Sequence, residues 1–246
     1  MALRCLGISK NGGQFYVGSV MTGSQFLAVF DCDGTLVDSQ HSIIGAMHAA
    51  FDANAIPRAT ADQIRRVVGL PLVEAIQILH QPVPDDEAEK IRADYSDAWQ
   101  AMHKNGGLDE PLYEGTVEVL EALSSAGWTL GVATGKSMRG LVGTLEKHEI
   151  LGRFATLQTA DRARGKPHPE MLERAMGETG ARPEKTVMIG DTTFDMEMAA
   201  NARVPAVGVA WGYHDSEELK SAGARTVVRS YPDLPDVLAA LMEETL

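Results

Sequence analysis

The chain has 246 residues, of which 44% are hydrophobic and 23% are charged, a composition typical of a soluble globular protein. It carries 22 basic and 34 acidic residues, and the formal net charge of −12 argues against a nucleic-acid-binding surface. A small anionic substrate is still compatible with this charge, because a bound cation and one or two lysines reverse its sign locally. No apolar run approaches the roughly 20 residues of a membrane span, so we expect no contact with a membrane.

The cysteine content and the N-terminal segment bear on the compartment. There are two cysteines, and Cys32 stands between two aspartates, which favours a small buried side chain over a disulfide. This usage fits a reducing compartment, and we expect a cytoplasmic protein. Residues 1–24 lack the apolar middle region of a secretory signal, and we interpret them as an N-terminal extension.

Strands alternate with helices over most of the chain, beginning with an apolar strand over 26–30. Further strands are predicted over 130–133, 154–157, 186–189, 206–210 and 226–228, and helices from residue 137 and over 169–177, 196–202 and 234–242. This alternation predicts an α/β fold with a mostly parallel sheet that is covered by helices on both faces.

Residues 40–110 interrupt this alternation, because their apolar side chains recur with helical spacing and show no strand pattern. We therefore predict a core formed by 25–38 and 112–246, and a helical insertion over 39–111. Ligands of open α/β folds bind at the carboxyl ends of the strands, where this insertion begins. The insertion is thus expected to act as a lid, the alternative being a helical decoration that only adds core.

Two carboxylates end the first strand in the run Asp31-Cys32-Asp33-Gly34-Thr35. Residues two apart in a strand point the same way, and close carboxylates repel unless a cation intervenes. Such a pair suits Mg²⁺, with Asp31 as a nucleophile toward phosphorus and Asp33 as a general acid and base. The alternative is a plain turn, since Asp and Gly favour turns.

The second and third segments contain groups that suit phosphate. The hydroxyl of Thr134, with backbone N–H groups around Gly135, lies at a strand-to-helix turn that can bind phosphate oxygens, although a helix cap explains it equally well. Lys166 is held in a stiff segment by Pro167, and its ammonium suits phosphate, although most lysines are solvated surface groups.

The fourth segment again places a carboxylate at the end of an apolar strand. Asp191 follows the strand over 186–189, and Asp195 comes one helical turn later. Asp191 would complete a metal site, and Asp195 would hold Lys166 or a metal-bound water. The alternative is a capped helix start, for which Asp and Thr are preferred residues.

Taken in order, these four segments resemble the motifs of the haloacid dehalogenase-like hydrolase superfamily, over a stretch from about Phe26 to the C-terminus. The resemblance implies a Rossmann-like, three-layer α/β/α core with an α-helical cap domain inserted after the first motif. It also implies Mg²⁺ as the cofactor.

The resemblance further implies roles for the acidic residues. Asp31 is expected to be the nucleophile and a Mg²⁺ ligand, and Asp33 the acid and base that offers the metal its backbone carbonyl. Asp191 is expected to ligate Mg²⁺. Asp195 is expected to support the site by contacting the residues around the metal rather than the metal itself.

Phosphate binding and substrate choice are assigned in the same way. Thr134, Gly135 and Lys166 are expected to bind the transferring phosphoryl group. Gly69 and Leu70 of the cap are expected to contact the leaving group and contribute to substrate specificity.

Asp33 favours phosphate esters over carbon–halogen bonds, because dehalogenases of the superfamily lack an aspartate there. The segments 67–72 and 209–213 are similar to those of phosphoglycolate phosphatases and pyrophosphatases. We therefore expect a Mg²⁺-dependent phosphatase, acting through an aspartyl-phosphate on a small phosphorylated metabolite such as phosphoglycolate, as a monomer or homodimer. The alternatives are a sugar-phosphate mutase, a pyrophosphatase or, from another class, a non-catalytic binding protein.

Overall fold

The computed structural model describes residues 26–81, 83–107 and 109–243 of the chain. The extension predicted over 1–24 lies outside these residues. In the described part, six strands form one parallel sheet in the order β3-β2-β1-β4-β5-β6. The first strand therefore lies inside the sheet, between two strands that come much later in the sequence.

The elements follow the predicted alternation. The strands are β1 (Leu27–Phe30), β2 (Thr129–Thr134), β3 (Thr156–Thr159), β4 (Thr186–Gly190), β5 (Ala206–Val209) and β6 (Thr226–Val228). The helices are α1 (Gln40–Ala53), α2 (Ala61–Arg65), α3 (Leu72–Leu79), α4 (Asp85–Lys104), α5 (Thr116–Ser125), α6 (Met138–Lys147), α7 (Glu170–Thr179), α8 (Thr193–Asn201), α9 (Ser216–Ser221) and α10 (Leu234–Glu243). None of the helices in the described parts of the chain is long and apolar enough to cross a membrane.

Helices cover both faces of the sheet, as β1 illustrates. Successive side chains of a strand point to opposite faces. Leu27 and Val29 lie in an apolar layer with residues of α7, α8 and α9, whereas Ala28 and Phe30 lie in a layer with residues of α5, α6 and α10. A strand that is buried on both faces reads as a continuous apolar run, which is the pattern of β1.

Strand β3 and helix α8 are among the elements whose boundaries differ from the prediction. Strand β3 begins and ends later than predicted, because its buried residues include Gln158 and Thr159, which an apolar pattern does not reveal. Helix α8 begins earlier than predicted, because Thr192 and Asp195 form a capping box that fixes its start.

Residues 40–110 contain helices α1 to α4 and, within the residues that the structure describes, no strand. Their apolar faces form a core of their own, which includes Phe51, Ile64, Ile76 and Ile91. The predicted fold class, an α/β core with a parallel sheet and an inserted helical segment, is confirmed. The exact boundaries of the two units stay a prediction.

Candidate active site

The register of the sheet brings the predicted motif residues to one edge. Phe30, the last residue of β1, pairs with Val132 of β2 on one side and with Ile189 of β4 on the other. The strands are parallel, so the residues that follow these pairs lie at the same carboxyl edge. Asp31 and the ends of β2 and β4 therefore meet there, as the sequence predicts.

Glycines make room for the carboxylates at this edge. A Cβ atom on Gly34 or on Gly212 would overlap the side chain of Asp191, and a Cβ atom on Gly190 would overlap that of Asp195. The two carboxylates therefore occupy space that only glycine leaves open. This explains why glycine precedes Asp191 in the fourth motif and follows the acidic pair in the first.

Lys166 joins two of the acidic residues. Its Nζ lies 2.8 Å from Oδ2 of Asp31 and 2.6 Å from Oδ1 of Asp195, and all three side chains are almost completely buried. The carboxylates raise the pKa of Lys166, although burial acts to lower it, so the lysine is held in its charged form. The structure thus places this predicted phosphate-binding lysine beside the predicted nucleophile.

Three buried carboxylates converge at this point. One oxygen from each of Asp31, Asp191 and Asp195 lies within 4.8 Å of the others. Burial raises the pKa of Asp31 to about 7, although Lys166 acts to lower it, and burial raises the pKa of Asp191 well above its ordinary value. With one lysine for three buried carboxylates, the ionised forms of Asp31 and Asp191 require further positive charge nearby.

This donor set fits a hard divalent cation. Mg²⁺ takes oxygen ligands and is bound by one or two carboxylates together with waters and substrate phosphate. Oδ1 of Asp191 accepts a hydrogen bond from Thr35 Oγ1 (2.8 Å) and Oδ2 accepts one from Tyr213 N (2.9 Å), which fixes the orientation of that carboxylate. Asp31 and Asp191 are the residues that would hold the metal, because Asp195 has one oxygen in the cap of helix α8 and the other facing Lys166.

Asp195 combines the two roles that its sequence context leaves open. Its Oδ2 accepts hydrogen bonds from Thr192 N (3.1 Å) and Thr192 Oγ1 (2.7 Å), which caps helix α8. Its other oxygen, Oδ1, faces Lys166. The helix cap therefore orients the carboxylate toward the lysine. Asp195 is both a capping residue of α8 and a partner of Lys166.

Asp33 has partners that sequence reasoning missed. Its Oδ1 lies 2.9 Å from Nζ of Lys136 and accepts a hydrogen bond from Ser39 Oγ. The same Nζ donates to Oε1 of Glu110 at 2.9 Å, and it lies 4.7 Å from the ring centre of Trp99. The position of Lys136, directly after Thr134 and Gly135, was a sequence signal that it belongs to the site. Nothing in the sequence marks Glu110 in the same way.

The second motif lies under the inserted segment. The side chain of Thr134 is buried, and its Oγ1 accepts a hydrogen bond from Lys136 N (3.3 Å). A Cβ atom on Gly135 would lie 3.0 Å from the carbonyl oxygen of Gly69 and 3.2 Å from that of Leu70. The two predicted cap residues therefore approach the site with their backbone, and glycine at 135 permits this close contact.

A cavity of about 1090 Å³ lies between the inserted helices and this edge of the sheet. Asp31, Asp33, Thr134 and Gly135 line it from the core side. Predicted specificity residues Gly69 and Leu70 also line it, together with residues of α4. The predicted nucleophile, although almost fully buried, therefore lies in the wall of a chamber that the insertion covers.

Comparison with known proteins gives the family. The model of the haloacid dehalogenase-like hydrolases matches residues 28–209. A protein of Dickeya dadantii named "Probable phosphatase IndB" is 36% identical over 221 residues, covering 88% of this chain and 95% of its own. A phosphoglycolate phosphatase of Agrobacterium fabrum is 30% identical over 194 residues, covering 77% and 82%. The chain belongs to the haloacid dehalogenase-like hydrolases.

A solved structure supports the same assignment. The crystal structure of a hydrolase from Pseudomonas syringae superposes with a TM-score of 0.77 at 27% identity, covering 88% of this chain and 99% of that one. The family resemblance that the four motifs predict is thereby confirmed. The predicted enzyme class, a phosphatase of this family, is confirmed by the family match and by relatives that carry that name.

Proposed function

We propose that this enzyme hydrolyses a small phosphate monoester in a Mg²⁺-dependent reaction, through an aspartyl-phosphate on Asp31. The observation that supports this most strongly is the cluster at the end of β1. There the buried carboxylate of Asp31 faces Lys166 at 2.8 Å, lies beside Asp191, and opens onto the covered cavity. An ionised carboxylate beside a fixed cation is suited to attack a phosphoryl group and to balance its charge.

In the first step, a carboxylate oxygen of Asp31 attacks phosphorus and the bond from phosphorus to the leaving oxygen breaks. Asp33, which also lines the cavity, gives its proton to that oxygen, so the product leaves as an alcohol. Lys166 and the hydroxyl of Thr134 neutralise and orient the oxygens of the transferring group. Lys166 is held in its charged form by two carboxylates, as this role requires.

In the second step, Asp33 takes a proton from a water molecule, and the oxygen of that water attacks phosphorus. The bond between phosphorus and Asp31 breaks, inorganic phosphate is released and Asp31 is regenerated as a carboxylate. Asp31 and Asp191 would hold the Mg²⁺, which offsets negative charge on the phosphoryl oxygens when it is bound.

The nucleophile assignment is tested with Asp31→Asn, which keeps the shape of the side chain but removes its charge. We expect the variant to lose turnover of 4-nitrophenyl phosphate in Mg²⁺ by at least roughly a thousandfold, because a neutral amide is a poor nucleophile. Asp236→Asn, on the exposed face of α10, is the matched control and should keep wild-type activity. Near wild-type rates in a folded Asp31→Asn protein would refute the mechanism.

The other activities that the sequence leaves open are separated by product. A mutase would convert β-glucose 1-phosphate into glucose 6-phosphate without releasing phosphate, and a pyrophosphatase would prefer inorganic pyrophosphate to any ester. A binding protein would release phosphate from no member of a panel of phosphomonoesters. We propose phosphoglycolate as a member of that panel, because a relative named phosphoglycolate phosphatase is 30% identical to this chain. The cytoplasmic location and the state as monomer or homodimer stay predictions.

A further inference from the structure

The cavity above Asp31 is large for the substrates that the family resemblance suggests. Its volume of about 1090 Å³ slightly exceeds the range of about 300–1,000 Å³ that is typical of sites for drug-sized ligands. A two-carbon acid such as glycolate would fill a small part of it. The cavity therefore has room for a leaving group larger than glycolate.

One wall of the cavity is aromatic. Tyr95 and Trp99 lie one turn apart on α4, with ring centres 6.0 Å apart and planes inclined by 24°, and both line the cavity. Their spacing along the helix is that of ordinary core residues, yet both remain partly exposed to the chamber. Aliphatic side chains line the same chamber, among them Ile64, Val68 and Leu70.

The charges near Asp33 disfavour an anionic leaving group. Lys136 is the buried cation on that side, and it is already paired with Asp33 and Glu110 at 2.9 Å each. A carboxylate placed beside Asp33 would therefore face Glu110 without an available buried cation among the residues described at the cavity. The other basic side chains that line the cavity are exposed: Arg92, His103, Lys104, Arg139, Lys147 and Arg162.

We propose that the natural substrate is a phosphate monoester whose leaving group is an uncharged alcohol bearing a flat ring, which lies against Tyr95 and Trp99. This inference rests on the proposed function, since it concerns the leaving group of the same reaction. The ring gains apolar and aromatic contacts that a two-carbon acid lacks. The absence of charge avoids repulsion by Asp33 and Glu110, which line the cavity and share the buried cation Lys136.

The test compares three alkyl phosphates: benzyl phosphate, ethyl phosphate and 2-phosphoglycolate. All three have primary alcohols as leaving groups, so differences in kcat/KM mainly report contacts with the leaving group. We expect kcat/KM for benzyl phosphate to exceed that for each of the others by at least roughly tenfold, the size of effect that one apolar contact gives. Equal values, or a preference for 2-phosphoglycolate, would overturn the proposal.

Variants of Trp99 locate the contact. Trp99→Leu should reduce the ratio of benzyl to ethyl kcat/KM by roughly tenfold, mainly through KM, whereas Trp99→Phe keeps a ring and should restore much of it. Benzylphosphonate, which is not hydrolysed, should raise the Tm of the wild-type protein more than that of Trp99→Leu. An unchanged ratio in folded Trp99→Leu would contradict this placement of the ring.

The Asp31→Asn variant separates this proposal from the one on which it rests. If 4-nitrophenyl phosphate is hydrolysed and the activity depends on Asp31, but benzyl phosphate has no advantage, the substrate class is wrong and the proposed reaction stands. If Asp31→Asn remains active, or no monoester is hydrolysed, the proposed reaction itself fails.

Discussion

Lys136 is the residue that connects the first motif to the segment that leads out of the insertion. Its Nζ contacts Asp33, which follows β1, and Glu110, which lies just beyond α4. All three side chains are at most 10% exposed, so water screens their interaction poorly. Burial acts to lower the pKa of Lys136, yet the two carboxylates raise it, and the residue is charged at any working pH.

We predict that Lys136→Met lowers the free energy of unfolding by roughly 3 kcal/mol, because it leaves two buried carboxylates without their cation. Urea denaturation measures this effect. The double variant Lys136→Met, Glu110→Gln should be more stable than Lys136→Met, since one of the unpaired charges is gone. Lys220→Met removes an exposed pair with Glu217 and is the matched control, with a change below about 0.5 kcal/mol. Equal stability of Lys136→Met and wild type would contradict the pairing.

Asp31 gives the apoprotein a pH-dependent stability. Its pKa is raised from 3.8 to about 7, first by burial and then by Asp195, so the folded state binds the proton more tightly than the unfolded chain. This contribution to stability is complete below the unfolded pKa and is lost as the pH rises through about 7. A cation that binds the carboxylate competes with the proton and compensates for the loss at high pH.

We therefore predict that Mg²⁺ raises the Tm more at about pH 8 than at about pH 5.5, because the proton no longer occupies Asp31 at the higher pH. Thermal melts with and without Mg²⁺ at the two pH values provide the measurement. Asp191→Asn should reduce the Mg²⁺-induced shift at about pH 8, whereas Asp236→Asn should not. A shift that is larger at the lower pH would show that the metal does not bind this cluster.

At the scale of elements, the turn over 69–71, which precedes α3, packs closely against two loops of the core. The carbonyl oxygens of Gly69 and Leu70 would lie 3.0 and 3.2 Å from a Cβ atom on Gly135. A Cβ atom on Gly165, next to Lys166, would overlap the ring of Pro71. The insertion thus contacts the second and third motifs at positions where the core has no side chain.

We predict that Gly165→Ala raises KM or lowers kcat by roughly tenfold, because its methyl group displaces Pro71 and opens the cover of the cavity. Steady-state kinetics with 4-nitrophenyl phosphate measure this effect. Adding Pro71→Ala removes the overlapping ring atoms and should recover much of the loss. If the second substitution recovers nothing, the defect arises from a displaced Lys166 rather than from the cover.

The predictable part of the site comes from local rules, and the unpredicted part from contacts across the chain. Asp31 and Asp191 could be assigned from the sequence, because each follows an apolar strand and parallel strands end at one edge. The pairing of Lys136 with Glu110 could not be predicted from the sequence. Lys136 lies in the loop after β2 and Glu110 in the segment after α4, and no periodicity relates these two positions. Trp99 has the spacing of a core residue, and only tertiary packing shows that it lines the cavity.

The elements show the same division. Strand β1 was predictable because it is apolar throughout, whereas β3 was displaced in the prediction because its buried face contains Gln158 and Thr159. Helix α9 was not predicted at all: it is short and polar, and Leu219 is its buried residue. Short elements whose positions depend on neighbours carry too little pattern of their own.

For the whole molecule, the insertion and the core share the cavity, and an exposed ion pair joins them on one side. There Arg66 donates to both carboxylate oxygens of Glu218 at 2.7 and 2.6 Å, linking the end of α2 to α9. Both side chains are exposed, so this ion pair contributes little to stability and does not lock the insertion onto the core.

We predict that Mg²⁺ with inorganic phosphate slows hydrogen exchange in helices α1 to α4, because ligand at the edge of the sheet favours the closed arrangement of the insertion. Hydrogen-exchange mass spectrometry measures this, with α10 as the internal reference that should not change. Unchanged exchange over 40–104 would show that the helices are a static decoration rather than a lid.

The position of β1 inside the sheet has a consequence for synthesis on the ribosome. Asp31, which follows β1 directly, belongs to a site whose other members lie far along the chain. The hydrogen bond from Thr35 to Asp191, across 156 residues, illustrates this separation. At a translation rate of about 5–20 residues per second, β1 waits roughly 10–30 s for β4 to emerge. During this time β1 has first no sheet neighbour and then β2 alone, so its second edge stays unpaired until β4 is made. Catalytic activity therefore requires synthesis and folding to reach at least Asp191.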